Sequence, residues 1–278
     1  IFKRGRVANI SFPDRAIRAM AVMANHSMWK RQERPEEYYK DIDEDNIKNF
    51  LKTKAEEDKI KLVDFESREI LDMCRIPTLP TVLTHTADEA VSVAEQIGFP
   101  VVMKVYSPEI LHKTDVGGVR VGLRTSDEVS RAFEVIMVSV QRFLPQVPVL
   151  GITVQKMVEG GKEVIVGFSR DPQFGPLVMF GLGGVYVEVL KDVNFALTPL
   201  SKKEIKELVT GIKSFPLLSG VRGEKEKDLE ALHEVVATVG TLGEKFPEIV
   251  EMEINPLMVM DKGKGVWAVD GRLILRGD

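Results

Sequence analysis

The sequence predicts a mixed α/β protein with two lobes. Three observations support this fold class. Segments with helical spacing alternate with short apolar strands after residue 62, glycine and proline residues separate those segments, and 278 residues suffice for one large or two small domains. The hydrophobic content of 44% and the charged content of 29% are typical of a folded chain rather than a disordered one.

The first predicted helix covers residues 14–29, where apolar residues recur every three or four positions behind Pro13 and Asp14. The next stretch, 30–61, is densely charged and predicts a linker or solvated helices. Beyond it, the periodicity predicts helices at about 65–71, 87–97, 127–142, 201–213 and 226–244, and strands at 99–105, 149–155, 163–167, 177–180, 249–254, 257–261 and 266–270.

The composition excludes several classes of protein. The net charge of −4, from 38 basic and 42 acidic side chains, gives no overall footprint for nucleic acid. No apolar run approaches the roughly 18 residues of a membrane span, and no secretory signal peptide is predicted. The single cysteine, Cys74, rules out an internal disulfide framework and a cysteine-based zinc site, and it favours a reducing cytoplasm. The start at Ile1 predicts a processed or truncated piece of a longer chain.

A lysine inside an apolar strand is the first candidate for function. Lys104 needs a partner there, because an unpaired buried ammonium is strongly disfavoured; the alternative is a lysine that extends to solvent at the strand end. The following loop, 107–119, contains a proline, a glycine pair and several polar groups, so its backbone N–H groups could face an anion. His112 lies in this loop beside Lys113 and Asp115, where a surface histidine in a turn is the alternative.

A second glycine-rich stretch, 181–184, precedes two carboxylates, Glu188 and Asp192. Three glycines within four residues allow a backbone to approach a ligand closely, although a tight turn explains them equally well.

Near the end of the chain, Glu253 and Asn255 occur two positions apart on a predicted strand, and Asp270 follows fourteen residues after Pro256. If the two strands are adjacent, these oxygen atoms suit Mg²⁺. A turn opened by Asn-Pro is the alternative.

The order of these motifs is more specific than any one of them. From Lys104 the chain continues through His-Lys-Thr-Asp-x-Gly-Gly, Val-Gln-Lys-Met, Lys-Glu-Val-Ile-Val-Gly, Asp-Pro-Gln-Phe-Gly-Pro, Gly-Leu-Gly-Gly-x-x-x-Glu, Glu-x-Asn-Pro and Val-Asp-Gly-Arg. This series resembles the ATP-grasp portion of the NDP-forming acyl-CoA synthetases, the family of the ADP-forming acetyl-CoA synthetases and a relative of succinyl-CoA synthetase. The resemblance covers about 62–276.

The resemblance implies a two-lobed ATP-grasp fold, with the first lobe at 62–156 and the second at 157–278. Residues 1–29 are similar to the tail of the CoA-ligase module that precedes the ATP-grasp part in fused members. The charged stretch 30–61 is then the connecting linker.

The resemblance also implies roles for single residues. Lys104 matches a phosphate-binding lysine, and His112 matches the loop histidine that takes a phosphoryl group, with Glu188 assigned to steadying it. Backbone groups of the hinge between the lobes would read the adenine edge, and an acidic residue would lie near the ribose. The nucleotide-binding positions are Gln155, Lys156, Met157, Val158, Glu163, Gly183 and Gly184, and the magnesium-binding positions are Asn255, Asp270 and Glu253.

The implied reaction joins a carboxylic acid to CoA with ATP, giving ADP and phosphate, and it runs in either direction. ATP or ADP and Mg²⁺ would bind here, and CoA would bind to the upstream module. That module also carries a second phosphohistidine in this family, and His26, His85 and His233 match no such motif. The implied partner is a CoA-ligase module on another chain or an upstream fragment, in a hetero-oligomer or a dimer of assemblies.

Three other functions remain open at this stage. The first is a regulatory ATP-grasp domain of an acyltransferase-like protein, which would not phosphorylate its loop histidine. The second is a carboxylate–amine ligase, which passes an acyl phosphate directly to an amine. The third is a structural subunit that braces a catalytic partner.

Overall fold

The structure is a computed structural model that describes residues 10, 12–31, 36–63, 65–107, 109–110, 113–184, 191–221 and 223–277. The chain divides into two compact units, 1–36 and 37–278. The first unit contains helix α1 (Pro13–Arg31), which confirms the helix predicted at 14–29. Proline suits the first helical position, where its missing N–H would have no partner, and Asp14 suits the positive end of the helix dipole.

The second unit holds the other described helices and strands. Its helices are α2 (Glu44–Glu56), α3 (Phe65–Met73), α4 (Ala87–Ile97), α5 (Ser126–Phe143), α6 (Lys202–Thr210) and α7 (Leu229–Lys245), with a 3₁₀ turn at Phe215–Leu217. Its strands are β1 (Lys61–Val63), β2 (Thr81–Thr84), β3 (Val101–Tyr106), β4 (Val119–Leu123), β5 (Gly151–Lys156), β6 (Lys162–Asp171), β7 (Gly175–Leu182), β8 (Val193–Leu197), β9 (Ile249–Val259), β10 (Val266–Ala268) and β11 (Gly271–Leu275).

These strands form two antiparallel sheets, which confirms the predicted two-lobed mixed α/β class. The smaller sheet has the order β2-β5-β3-β4. The larger sheet has the order β1-β11-β9-β6-β7-β8, and β10 pairs with the far end of β9. Strand β9 is central to the larger sheet, because β6 pairs along one side of it and β11 and β10 along the other.

Residues at the helix ends explain where several helices begin. The side chains of Thr86, Thr125 and Ser201 cap α4, α5 and α6, each accepting a hydrogen bond from the backbone N–H three residues later. In α6, Glu204 also accepts from the Ser201 N–H, which completes a capping box. Gly98 ends α4 with a φ of 81°, a conformation that glycine adopts without strain.

Each sheet buries one face against helices. Helices α4 and α5 cover the smaller sheet, where Ala94 and Ile136 pack in one cluster with Met103 and Val154 of the strands. Helix α7 covers the larger sheet, and ten of its residues are buried. Burying each large aliphatic side chain stabilises the fold by about 1.5–3 kcal/mol, so the two faces hold the sheets rigidly in place.

The predicted linker, 30–61, is not solvated throughout, because its second half packs into the core. Helix α2 forms there, and Ile42, Ile47 and Leu51 are buried in the core of the larger sheet. Ile47 and Leu51 lie four positions apart and therefore share one face of the helix. The prediction missed this stripe because charged residues outnumber apolar ones on the remaining faces.

The first residues of the predicted first lobe belong to the other sheet. Residues 61–63 form β1 at the edge of the larger sheet, where they pair with β11, although the prediction placed 62–156 in the first lobe. Leu62 is fully buried in the larger core, and this burial explains the pairing. Strands β2, β4, β8 and β11 were not predicted. The first three are edge strands with an exposed face and show no continuous apolar run. Strand β11 lies beyond the strand predicted at 266–270, of which only 266–268 forms β10.

Strand β9 does not break at Asn255 and Pro256, where the sequence predicted a turn between two strands. The pairing with β6 shifts there, so that three residues of β9 advance while β6 advances by two. This is a β-bulge, and a bulge accommodates proline because the extra residue needs no ladder hydrogen bond. As a result Ile254 and Leu257 both point into the core, while Asn255 stays exposed between them.

Among the described helices, none combines the length and the apolar character needed to cross a bilayer.

Candidate functional site

A cleft with a volume of about 880 Å³ lies between the two sheets of the second unit. Strands β3 and β5 of the smaller sheet line one side, and β6, β9 and the turn before β11 line the other. The predicted site residues that line this cleft are Lys104, Gln155, Lys156, Met157, Val158, Glu163, Glu253, Asn255 and Asp270. The fold therefore brings together most of the positions that the sequence singled out.

Lys104 lies near the middle of β3, between the fully buried Met103 and Val105. Its side chain is 12% exposed, and its Nζ lies 3.3 Å from Oδ2 of Asp270. The same Nζ donates to the carbonyl oxygen of Val269 at 3.4 Å. The partner that the sequence required for this lysine is thus an acidic residue of the opposite sheet.

Asp270, Asn255 and Glu253 form a group of oxygen-bearing side chains on the larger sheet. The Asn255 N–H donates to the backbone carbonyl of Asp270 at 3.1 Å, which confirms that the two residues lie on adjacent segments. The Asn255 Nδ2 donates to Glu253 Oε1 at 2.8 Å. No cluster of three or more His, Cys, Asp or Glu side chains with metal-binding geometry occurs within the described ranges. The donor set is two carboxylates and one amide oxygen, which is a set that suits Mg²⁺.

Arg272 is a cleft residue that the sequence reasoning did not select. It forms ion pairs with Glu251 and with Glu253, the latter at 3.2 Å, and it is the direct cross-strand neighbour of Glu253. Its charge offsets the repulsion between the carboxylates of β9. The signal was present in the Val-Asp-Gly-Arg motif, where Arg272 follows Asp270 by two positions.

The connection from β5 to β6 forms the hinge edge of the cleft. The backbone N–H groups of Lys156 and Met157 donate to the carbonyls of Pro80 and Pro100, at 3.2 and 3.0 Å. The Lys156 side chain donates to the carbonyls of residues 98 and 99. These hinge donors are therefore engaged within the protein.

Glu163 lines the cleft, whereas Gly183 and Gly184, which follow β7, are not among its lining residues and lie against Glu163. The Gly183 N–H donates to the Glu163 carbonyl at 2.7 Å. A Cβ on Gly183 would lie 2.9 Å from Glu163 Cβ and 3.0 Å from its carbonyl carbon, so only glycine fits. Gly184 adopts a φ of 63°, in the left-handed region that favours glycine. The two glycines thus let the chain pass directly behind Glu163.

The loop after β3 also reaches the cleft. Lys113, Thr114 and Asp115 line it. The expectation that backbone N–H groups of this loop face an anion stays a prediction. The Gly117 and Gly118 N–H groups are not available for that role, because they donate to loop carbonyls at 3.0 and 2.8 Å. The pair instead closes the loop against β3.

Two predicted catalytic residues, His112 and Glu188, lie outside the described residues. The acidic residue that follows Glu188 by four positions, Asp192, has a structural role. Its carboxylate accepts hydrogen bonds from the N–H groups of Lys213 and Ser214 at 2.8 and 2.7 Å. Burial alone would raise the pKa of Asp192, but the hydrogen bonds from these two residues lower it below its usual value.

Comparison with known proteins identifies the family to which the chain is similar. A model of the ATP-grasp domain matches residues 53–275. The β subunit of ADP-forming acetate–CoA ligase I from Pyrococcus furiosus is 43% identical over 222 residues, which cover 80% of this chain and 95% of that subunit. ADP-forming acetate–CoA ligase I from Archaeoglobus fulgidus is 40% identical over 282 residues, which cover 99% of this chain but only 40% of that protein.

A solved structure has the same fold. Dinucleotide-forming acetyl-coenzyme A synthetase 1 from Ca. Korarchaeum cryptofilum, in complex with coenzyme A and Mg-AMPPCP, matches with a TM-score of 0.71 and 38% identity. The match covers 82% of this chain and 99% of that one, and its phosphohistidine segment points towards the nucleotide-binding site. The chain therefore belongs to the ATP-grasp family, in the branch formed by the β subunits, separate or fused, of the ADP-forming acetate–CoA ligases.

Proposed function

We propose that this chain is the ATP-grasp part of an ADP-forming acyl-CoA synthetase. In the complete reaction a carboxylic acid, ATP and CoA give acyl-CoA, ADP and phosphate, or the reverse. The observation that carries the proposal is the ion pair of Lys104 and Asp270, which sets a cation suited to phosphate beside a carboxylate suited to a metal. Phosphoryl transfer depends mainly on such alignment and charge neutralisation.

Different cleft residues bind the phosphates, the base and the ribose of the nucleotide. The Lys104 ammonium binds phosphate oxygens, and low solvent exposure strengthens that attraction. The Val158 N–H donates to the base edge, and the Glu163 carboxylate accepts from the ribose hydroxyls. This division is supported by the position of all three residues in the lining of the cleft.

The acidic side of the cleft fits Mg²⁺. Asp270, Asn255 and Glu253 would hold it, since they supply oxygen donors on paired strands of the larger sheet. When bound, Mg²⁺ neutralises phosphate charge. Arg272 orients Glu253, because the guanidinium lies within ion-pair distance of that carboxylate.

His112 is the proposed phosphoryl acceptor. A neutral imidazole nitrogen forms a bond to the γ-phosphorus while the bond from that phosphorus to the bridging oxygen breaks, which releases ADP. An unperturbed histidine pKa near 6.5 leaves much of the ring neutral at pH 7. The cleft positions of Lys113 and Thr114, directly after it in the chain, support this role. Glu188 is proposed to steady the phosphohistidine.

The phosphoryl group then passes to a CoA-binding module outside this chain. The Archaeoglobus relative is about two and a half times as long as the segment that matches, and the Pyrococcus relative is named as one subunit of a larger enzyme. We infer a partner module of this kind, on another chain or upstream, in a hetero-oligomer or a dimer of assemblies. Residues 1–29 are proposed as the tail of that module.

A labelling experiment tests the proposal. The chain is incubated with γ-labelled ATP and Mg²⁺, and the protein is assayed for acid-labile, base-stable phosphate. We expect one label per chain, lost in His112→Asn and retained in His85→Asn, which changes an exposed histidine away from the cleft. Label that survives in His112→Asn contradicts the carrier role.

The alternatives predict other results. A regulatory domain binds ATP but takes no label. A carboxylate–amine ligase gives hydroxamate from a carboxylic acid, ATP and hydroxylamine without CoA. A structural subunit shows no measurable ATP affinity.

A further inference from the structure

Two side chains of the smaller sheet reach the same carbonyl of the larger sheet. The Gln155 Nε2 donates to the Val269 oxygen at 3.1 Å, and the Lys104 Nζ donates to it at 3.4 Å. Gln155 is only 2% exposed, so this amide is held in place by the packing around it. A hydrogen-bonded clasp therefore joins β5 to the turn between β10 and β11.

The turn that Gln155 holds is the one that carries Asp270. On its other side, the Val269 N–H donates to the Pro256 carbonyl and the Asn255 N–H donates to the Asp270 carbonyl, both at 3.1 Å. The bulge of β9 and the Gln155 amide thus fix the turn from opposite sides. The Asp270 Oδ1 accepts from the Gly271 N–H at 3.1 Å, which orients the carboxylate within the turn.

A neutral amide is suited to this position. A carboxylate there would attract Lys104, and an ammonium there would attract Asp270, and either would disrupt the ion pair between them. The amide donates to the carbonyl without adding charge to the cleft. Its own Oε1 has no hydrogen-bond donor among the described residues. Among the described residues, the hydrogen bonding of this side chain to the larger sheet therefore depends on the single bond from Nε2.

We propose that Gln155 is a positioning residue: it holds the turn so that the Asp270 carboxylate is preset for Mg²⁺ while Lys104 remains available to phosphate. This inference rests on the proposed function, and it assigns to the side chain a role that the hinge backbone does not have. Residues that orient metal ligands typically affect metal affinity by about 10- to 100-fold.

The test is a comparison of ADP affinity with and without Mg²⁺. Titration calorimetry gives the Kd of wild type in EDTA and in Mg²⁺, and the ratio of the two measures the metal-dependent part of binding. In Gln155→Met, which keeps the length of the side chain, we expect this ratio to fall by about tenfold. Gln155→Asn, which is too short to reach Val269, is expected to behave alike.

The matched control is Thr84→Val. Thr84 is also buried in the smaller sheet, and its hydroxyl donates to the Ile152 carbonyl at 2.7 Å, within that sheet alone. We expect Thr84→Val to lower the melting temperature without changing the Mg²⁺ ratio. If the Gln155 variants lower the melting temperature and also leave the ratio unchanged, Gln155 is merely structural and the proposal is wrong.

A second readout does not require ligand. Hydrogen exchange of the Asn255 and Gly271 amides reports on the turn, because both donate to Asp270. We expect these amides to exchange at least about tenfold faster in Gln155→Met, and at the wild-type rate in Thr84→Val. If the exchange rates of these amides do not change, the hydrogen bond from Gln155 does not hold the turn and the proposal is wrong. A wild-type chain that binds no ADP, yet shows the exchange effect, refutes the proposed function and leaves the clasp standing.

Discussion

Lys104 Nζ and Asp270 Oδ2 lie 3.3 Å apart, although the two residues belong to different sheets and are 166 positions apart in the sequence. Each charge satisfies the other in a cleft where the lysine side chain is only 12% exposed. If Lys104 contacts phosphate and Asp270 contacts a metal ion, as proposed, each ligand would displace one member of this ion pair and free the other, so the two binding events would be coupled.

Replacing Lys104 by methionine tests the phosphate role. The substitution keeps the length of the side chain and removes the charge. We expect ATP affinity to fall at least about tenfold, because a hydrogen bond to a charged group contributes about 1.5–3 kcal/mol. Isothermal titration calorimetry measures the change.

The control is Lys162→Met. Lys162 pairs with Glu224 at 2.9 Å and does not line the cleft. We expect its ATP affinity to stay within about twofold of wild type. Equal losses in both variants would mean that the effect is general electrostatics rather than a phosphate contact.

Gly183→Ala tests the close packing behind Glu163. The new Cβ would lie 2.9 Å from Glu163 Cβ, so one of the two segments must move. We expect a loss of about 1–3 kcal/mol in the free energy of unfolding and a weaker ADP affinity. Thermal unfolding and ADP titration measure the two effects.

Gly263→Ala serves as the comparison. Nothing lies within 4 Å of its Cβ, and its φ of 79° makes the cost one of backbone conformation alone. This variant is expected to lose stability but to keep its ADP affinity. An unchanged ADP affinity in Gly183→Ala would argue against Glu163 as a ribose contact.

Arg170→Lys tests how the C-terminal end of helix α7 is held. The guanidinium donates to the carbonyls of Gly243, Phe246 and Ile249, at 2.6, 3.1 and 3.3 Å. A lysine ammonium cannot reach all three in the fixed geometry of the fork. We expect the free energy of unfolding to fall by about 2 kcal/mol in urea denaturation. Arg131→Lys, at an exposed position of α5, should change it by less than about 0.5 kcal/mol.

Cys74 gives the protein a predictable response to alkaline pH. Burial raises the pKa of this thiol to about 12, whereas an unfolded cysteine titrates near 8.5. The folded state therefore keeps the proton longer. The contribution of the protonated thiol to the free energy of unfolding is fully present below about pH 8.5. It falls by up to about 1.4 kcal/mol per pH unit as the pH rises towards 12.

The difference in unfolding free energy between wild type and Cys74→Ala isolates this effect from the titration of lysines and tyrosines. We expect the wild-type advantage to shrink between pH 9 and pH 11. At pH 8, iodoacetamide should modify this single cysteine only after denaturation. Rapid alkylation of the folded chain would show that the thiol is accessible.

The parts of the site that sequence could predict are those with a local signal. Lys104 stood out as a charge within an apolar strand, and Asp270 followed a strand that pairs beside Asn255. The role of the Gln155 side chain had no such signal, because it depends on a contact with Val269, 114 positions away. Contacts of that kind arise from the packing of the two sheets.

The fold shows the same division. Helices with a capping residue and a wide apolar face, such as α5, follow directly from the sequence. The burial of helix α2 in the core did not, because two core residues within thirteen leave a stripe too narrow to outweigh the charges. Pro256 suggested a chain break that the bulge of β9 avoids. The roles of His112 and Glu188 stay predictions.

The bulge in β9 keeps the buried residues on one face of the strand and the accessible residues on the other, which makes the strand suitable for engineering. Residues 252, 254, 257 and 259 are buried, whereas 251, 253, 255 and 258 are accessible from the other surface. A library that varies the accessible set alone would sample new ligand preferences on an unaltered scaffold. Deleting Asn255 or Pro256 would remove the extra residue and bring the buried positions into regular alternation with β6, so the core would be kept while the outward-facing side chain at the bulge would be lost.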